Sequence, residues 1–308
     1  MVLHGSVKNA GRVKPRDIAL AVLVAVIWGF NFVVIRVGLD SMSPVLFCAV
    51  RFTVAAIPAV FFVGRPTARW RWILLTALTL AIGQYSLLFA GIAAGMPAGL
   101  SALILQCQAA FTVVIAVFVL RDRPGSRQYT GMIMSAGGVL LIASRFGLDR
   151  PIAAFLLVVA AGAAWGIGNV AIRKAQPGDT LNFMVWVSMV SILPLTGLTL
   201  AIDGPSYVGN ALRSLDVRAL AAIGFIAWIS TLVGFGLWGH LIKVYGASTV
   251  APFASLAPVV AIVATALLLG ERVTVVDVIG GAIVLSGVLL GSLPARARAP
   301  RTVAGTVG

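Results

Sequence analysis

Of 308 residues, 60% are hydrophobic and 10% charged, and the mean hydropathy is +1.05. Soluble domains run about 45–50% apolar and about 25% charged, so the apolar surface here calls for lipid as solvent. The formal net charge of +14 does not indicate nucleic acid, because the basic residues lie in short clusters between apolar runs with no basic face or nucleic-acid motif.

Residues 1–17 are basic and polar, and the first apolar run is too long for a cleaved signal peptide. It is expected to be retained as a span. Ten apolar segments follow, at about 18–39, 44–63, 71–93, 97–120, 127–144, 151–173, 180–201, 217–241, 246–269 and 273–293. Each has the ~17–25 residues that a tilted helix needs, so the fold expected is all-α and polytopic. Pro44, Pro97 and Pro151 stand at segment starts, where the missing N–H removes no helix hydrogen bond. The cations are distributed unevenly. Lys8, Arg12, Lys14, Arg16, Arg65, Arg69, Arg71, Arg121, Arg123, Arg127, Arg173, Lys174, Lys243, Arg296, Arg298 and Arg301 fall on one side; only Arg145, Arg150, Arg213, Arg218 and Arg272 fall on the other. That bias predicts both termini, including the tail 294–308, in the cytoplasm. Arg36 lies near a helix end and is expected to snorkel. Arg51 lies about eight residues inside its segment.

The two halves, 18–144 and 151–293, match in order. Trp28 matches Trp165 and Arg36 matches Arg173 at an offset of 137; Pro58 matches Pro194 at 136. Asp122-Arg123 matches Glu271-Arg272 at 149, as Gly131 and Gly138 match Gly280 and Gly287. Five spans per half is odd, so the second half enters from the opposite side. Two inverted five-helix repeats are the architecture of many secondary transporters. The glycine pairs lie two turns apart on one face and predict close packing of the fifth and tenth helices, within the monomer or in a homodimer.

Polar groups in hydrocarbon are costly unless paired. Gln84 lies mid-way along the third segment. Ser101, Gln108 and Thr112 share a stripe of the fourth, and Trp165, Asn169 and Arg173 share one in the sixth. Trp228, Thr231, Phe235 and Trp238 make an aromatic-and-hydroxyl stripe in the eighth; Asn182 pairs with Trp186 in the seventh, and Ser248 with Ser255 in the ninth. Either these stripes converge on a cavity, or they are interhelical hydrogen bonds. Arg51 either clamps loop carbonyls or attracts a substrate carboxylate; its repeat counterpart is Val187. The candidate substrate-binding set is Trp28, Asn31, Arg51, Gln84, Gln108, Trp165, Asn169, Trp228 and Trp238. The nine acids lie at segment ends or in loops, and His240 near a helix end, so the coupling ion stays open. Pro58, Pro194, Pro252 and Pro258 are interior and predict kinks. Cys48 and Cys107, in different apolar segments, suit packing better than a disulfide, and no spacing suggests a metal or cofactor site.

Trp28 to Gly38 (WGFNFVVIRVG), Arg51-Phe52, Gly95 to Gln108 (GMPAGLSALILQCQ), Val233 to Gly239 (VGFGLWG) and Gly270-Glu271-Arg272 carry a resemblance. Over about residues 17–293 the chain resembles the EamA family of the drug/metabolite transporter superfamily. The fourth span closes with Arg121-Asp122-Arg123 where that family usually has Gly-Glu-Arg, which weakens any role for the acid there. The resemblance implies a bacterial inner-membrane carrier, not an enzyme. It would export small amino acids or cysteine-pathway metabolites, such as O-acetylserine, by alternating access. The alternative is a carrier or flippase for a larger amphipathic or sugar-linked metabolite. The partners expected are a small-molecule substrate and membrane lipid, with no nucleic acid.

Overall fold

The structure, a computed structural model, describes residues 14–66, 68–146 and 152–292. Of the tails expected at 1–17 and 294–308, only 14–17 are described. Lys8, Arg12, Arg150, Pro151, Arg296, Arg298 and Arg301 lie outside the described residues, as does the side chain of Ser248.

Among the described residues there is helix and no strand. The long helices are α1 (Pro15–Gly38), α2 (Pro44–Val60), α3 (Trp70–Ala93), α4 (Ala98–Leu120), α5 (Ser126–Ala143), α6 (Ile152–Ala175), α7 (Thr180–Ile202) and α8 (Val217–Tyr245). α9 is made of two pieces, Ala247–Ala254 and Leu256–Leu269, and α10 is Val275–Ser292. A short helix, Pro205–Arg213, joins α7 to α8. Eight of these helices are long and apolar enough to cross a membrane. The other two of the ten expected spans are α2 and α5. α2 has 17 residues, and α5 opens on the polar turn Ser126-Arg127-Gln128-Tyr129.

Helix ends are set by local chemistry. Ser43 accepts from the Leu46 amide at 3.2 Å, Asp179 from Leu181 and Asn182 at 2.9 and 3.1 Å, and Asp216 from Ala219 at 2.8 Å. Each satisfies amides that the first turn leaves without a partner. α4 and α9 both end in a left-handed residue, Arg121 (φ 57°) and Gly270 (φ 67°). There the Asp122 and Glu271 amides both reach six residues back, to Ala116 and Thr265, at 3.3 Å.

Short loops make successive helices alternate in direction, and bonds between helix ends sort them onto two faces. On the near face, where α1 begins, Tyr245 donates to Asp17 at 2.5 Å, Arg173 pairs with Asp122 at 2.9 Å, and Asn182 and Trp186 donate to the Gly64 carbonyl at 2.9 and 3.0 Å. On the far face Ser43 donates to Asp203 at 2.5 Å and Arg145 pairs with Asp277. There too the Glu271 carboxylate accepts from the Ala98 and Gly99 amides at 2.6 and 3.0 Å. At the far end of α1 the Arg36 head group meets Asp40, one turn on.

The halves correspond in their irregularities as well. α3 widens into a π segment at Ala77–Gln84 and α8 at Phe225–Val233. α4 tightens at Leu105–Cys107, and α9 breaks at Ser255. Packing follows the same exchange. α1 lies between α8 and α9 as α6 lies between α3 and α4; α2 meets α7, and α5 meets α10. Glycines set the approach. A Cβ on Gly29 would sit 2.6 Å from the Ala257 carbonyl oxygen, and one on Gly166 2.8 Å from Phe111 Cβ. Gly138 lies so close to α10 that its Cβ would fall 2.6 Å from the Gly280 oxygen. The fifth and tenth helices therefore use their glycine faces on each other, within one chain.

The exchange is incomplete where α4 meets α9. On the far face the start of α4 packs against the second piece of α9, and Ala98–Ile104 is buried throughout. Among the described residues the first piece of α9 makes no comparable contact with α4 residues 108–120, of which Ala116 alone is buried. Helices α4 and α9 are thus packed together at the far end and, among the described residues, less closely at the near end.

Candidate functional site

Arg51 is the least satisfied group in the interior. It is 2% exposed, and neither Nε nor Nη1 has a hydrogen-bond partner. Its guanidinium carbon lies 3.8 Å from the Tyr85 ring centre and 5.1 Å from that of Phe52. Tyr85 also meets Phe52 and Phe89 edge-on, and Phe89 meets Phe47. Cation–π contact over an aromatic face offsets part of the cost of burial. It leaves the in-plane N–H donors unused, and these suit a planar carboxylate. The clamp on loop carbonyls is made instead by Asn182 and Trp186, which both reach Gly64.

A second polar cluster joins α4 and α6. Asn169 donates from Nδ2 to Gln108 Oε1 at 2.8 Å and to Thr112 Oγ1 at 3.1 Å. Ser101 leaves the expected stripe, because the tight turn at Leu105–Cys107 re-phases the helix; its hydroxyl returns to the Pro97 carbonyl at 2.9 Å.

A third cluster joins α1 and α8. Trp28 donates to the Ser230 carbonyl at 3.1 Å, with Phe235 and Trp238 at 5.3 and 5.2 Å from its ring. Ser230 lies in the π segment, where the wider turn loosens the backbone ladder. The same widening breaks the predicted stripe in α8. Trp228 turns away, half exposed, and donates to the Val54 carbonyl of α2 at 3.3 Å. Phe235 and Trp238 face Trp28.

Gln84 is buried on α3, one residue before Tyr85. Trp165 is half-buried and packs on the main core. Asn31, in α1, has its Oδ1 buried without a partner. A buried polar atom with no partner marks a place for water or a ligand group. Arg51 and Asn31 thus each present an unmet valence, a donor on α2 and an acceptor on α1. Gln108 and Asn169 satisfy each other.

Sequence reasoning missed Tyr85, Ser230 and the Glu271 contact with Ala98 and Gly99. Tyr85 stands beside Gln84 as the one tyrosine of an apolar span, but nothing in the sequence ties it to Arg51. Glu271 is in the quoted Gly-Glu-Arg motif without any sign of its partner.

The sequence model of the EamA-like transporter family matches residues 16–144 and again 152–293. The chain belongs to the EamA-like transporter family. Within it, a "probable amino-acid metabolite efflux pump" of Salmonella typhimurium is 36% identical over 296 residues, covering 94% of this chain and 99% of that protein. A protein of the same description from Escherichia coli K12 is 35% identical, covering 89% and 94%. A "probable terminal-alkyne amino-acid exporter" of Streptantibioticus cattleyicolor is 26% identical, covering 87% and 91%. A crystal structure 17% identical superposes with a TM-score of 0.57 over 90% of this chain and 96% of that one, a likeness of fold. EamA membership and the apolar helices make this a multi-pass membrane transporter.

Proposed function

We propose that this EamA protein exports small amino acids or their metabolites across the bacterial inner membrane by alternating access. Ten spans form two inverted units, 18–144 and 151–293, with the near face and both termini in the cytoplasm. The 36% and 35% identity to proteins described as amino-acid metabolite efflux pumps supports the substrate class. The basic bias of the near-face loops supports the orientation. The close packing of α4 on α9 at the far end, and their looser packing at the near end, fit a carrier ready to load from the cytoplasm.

The observation that carries the reading is Arg51, a buried cation with free donors in a transporter interior. In this reading it takes the substrate α-carboxylate. Asn31 accepts from the ammonium, and Trp28 and Trp238 wall the path. Gln108 of the first half and Asn169 of the second line the site together, with Gln84, Trp165 and Trp228 around it. No step makes or breaks a covalent bond.

Counterflow in proteoliposomes, with a panel of labelled amino acids and with or without a pH gradient, tests the function. Exchange of cysteine, O-acetylserine or similar small amino acids is expected. A panel in which none exchanges, while amphipathic or sugar-linked metabolites do, would overturn it.

A further inference from the structure

On the near face, away from Arg51, the α2–α3 and α6–α7 connections flank a cleft of about 470 Å³. It is lined by Arg69, Arg71, Trp72, Lys174, Gln176 and Gly178 among others. Among the described residues, three cations and no acid line the cleft. The neighbouring acids are engaged elsewhere: Asp179 caps α7, and Asp122 pairs with Arg173. Arg71 is held over the Trp72 ring, its guanidinium carbon 4.9 Å from the ring centre. Gln176, with φ 45°, turns the backbone sharply at the rim.

The helix that supplies Arg71 and Trp72 to the cleft also carries an exposed apolar face. Trp70, Leu74 and Leu78 follow one another at four-residue spacing on α3 and are 50%, 53% and 61% exposed. Phe61 and Phe62, in the loop before α3, are 80% and 90% exposed. A basic cleft beside an exposed apolar lane matches the head and chain of an anionic phospholipid. A free anion would have no use for the lane. Three like charges in one concavity repel each other until an anion enters, and basic pockets at a cytoplasmic helix interface suit acidic head groups.

We propose that this cleft binds the phosphate head of an anionic phospholipid, with an acyl chain lying along Trp70, Leu74 and Leu78. Arg69, Arg71 and Lys174 hold the phosphate oxygens, and Gln176 can donate to the polar head. The site is separate from the Arg51 region and does not depend on which substrate is carried.

Native mass spectrometry of the full chain tests this, with phosphatidylglycerol and phosphatidylcholine of matched acyl chains added in equal amounts. Wild type should retain phosphatidylglycerol about tenfold or more over phosphatidylcholine. The exposed triple variant Arg69→Gln/Arg71→Gln/Lys174→Gln should retain the two about equally, and Lys174→Gln alone should fall between. Inorganic phosphate at millimolar concentration should not displace the bound lipid. Equal retention of the two lipids by wild type would overturn the proposal, as would an unchanged preference in the triple variant. Ready displacement by inorganic phosphate would instead make this a site for free anions.

Discussion

Arg51 and Asn169 show how differently two buried polar residues can stand. Asn169 has its partners within the fold, Gln108 and Thr112; Arg51 has an aromatic floor and free N–H groups. Asn169→Ala should therefore cost about 1 kcal/mol of stability, and its cycle with Gln108→Ala should show coupling of about 0.5–1.5 kcal/mol. Thermal unfolding in detergent measures both; strictly additive losses would mean that the contact contributes nothing. A third residue-scale test is Arg121, which closes α4 in the left-handed region at φ 57° where Gly270 closes α9. A Cβ there costs about 1 kcal/mol, so Arg121→Gly should raise the melting temperature. The unusual Arg121-Asp122-Arg123 was visible in the sequence. Its cost was not, because the left-handed conformation appears only once the helix end is built.

At the scale of elements, the WG phrase of α1 and α6 divides its work. The tryptophans face α8 and the core, while Gly29 and Gly166 let α9 and α4 approach to backbone contact. Gly29→Val should sharply lower the amount of correctly folded protein, seen by size-exclusion chromatography of a fluorescent fusion. Gly125→Val, where an added Cβ meets nothing within 4 Å, should not. Equal yields would place the α1–α9 packing elsewhere. Eight of the expected spans, the repeat and the glycine faces were legible because lipid imposes length and hydropathy on helices that cross it. Stripes read at 3.6 residues per turn held in α6, whose ladder is regular. They failed in α8 and α4, where π and tight turns re-phase the side chains. Such defects have no simple residue signature.

Across the whole molecule, two related halves that differ where α4 meets α9 give the structure a direction. The Glu271 carboxylate holds the start of α4 against α9 on the far face, and hydrogen bonds to a charged group contribute about 1.5–3 kcal/mol. Glu271→Ala should loosen that seal. A cysteine at Ser101, which is fully buried beneath it, should then react with an impermeant maleimide about tenfold faster or more. Unchanged labelling would place the seal elsewhere. Function was legible in part: the family lay in quoted motifs, and Arg51 stood out as a cation at depth. Its surroundings, Tyr85 above all, required the fold. Recognition of an amino acid through Arg51 can be checked by one competition. Counterflow of a labelled amino acid is challenged with the unlabelled amino acid or with the amine left by removing its carboxylate, in wild type and in Arg51→Ala. In wild type the amino acid should compete and the amine should be weaker by about 10–100-fold; Arg51→Ala should exchange poorly at equal membrane abundance and lose the discrimination. Wild-type rates and undiminished discrimination in Arg51→Ala would contradict the account.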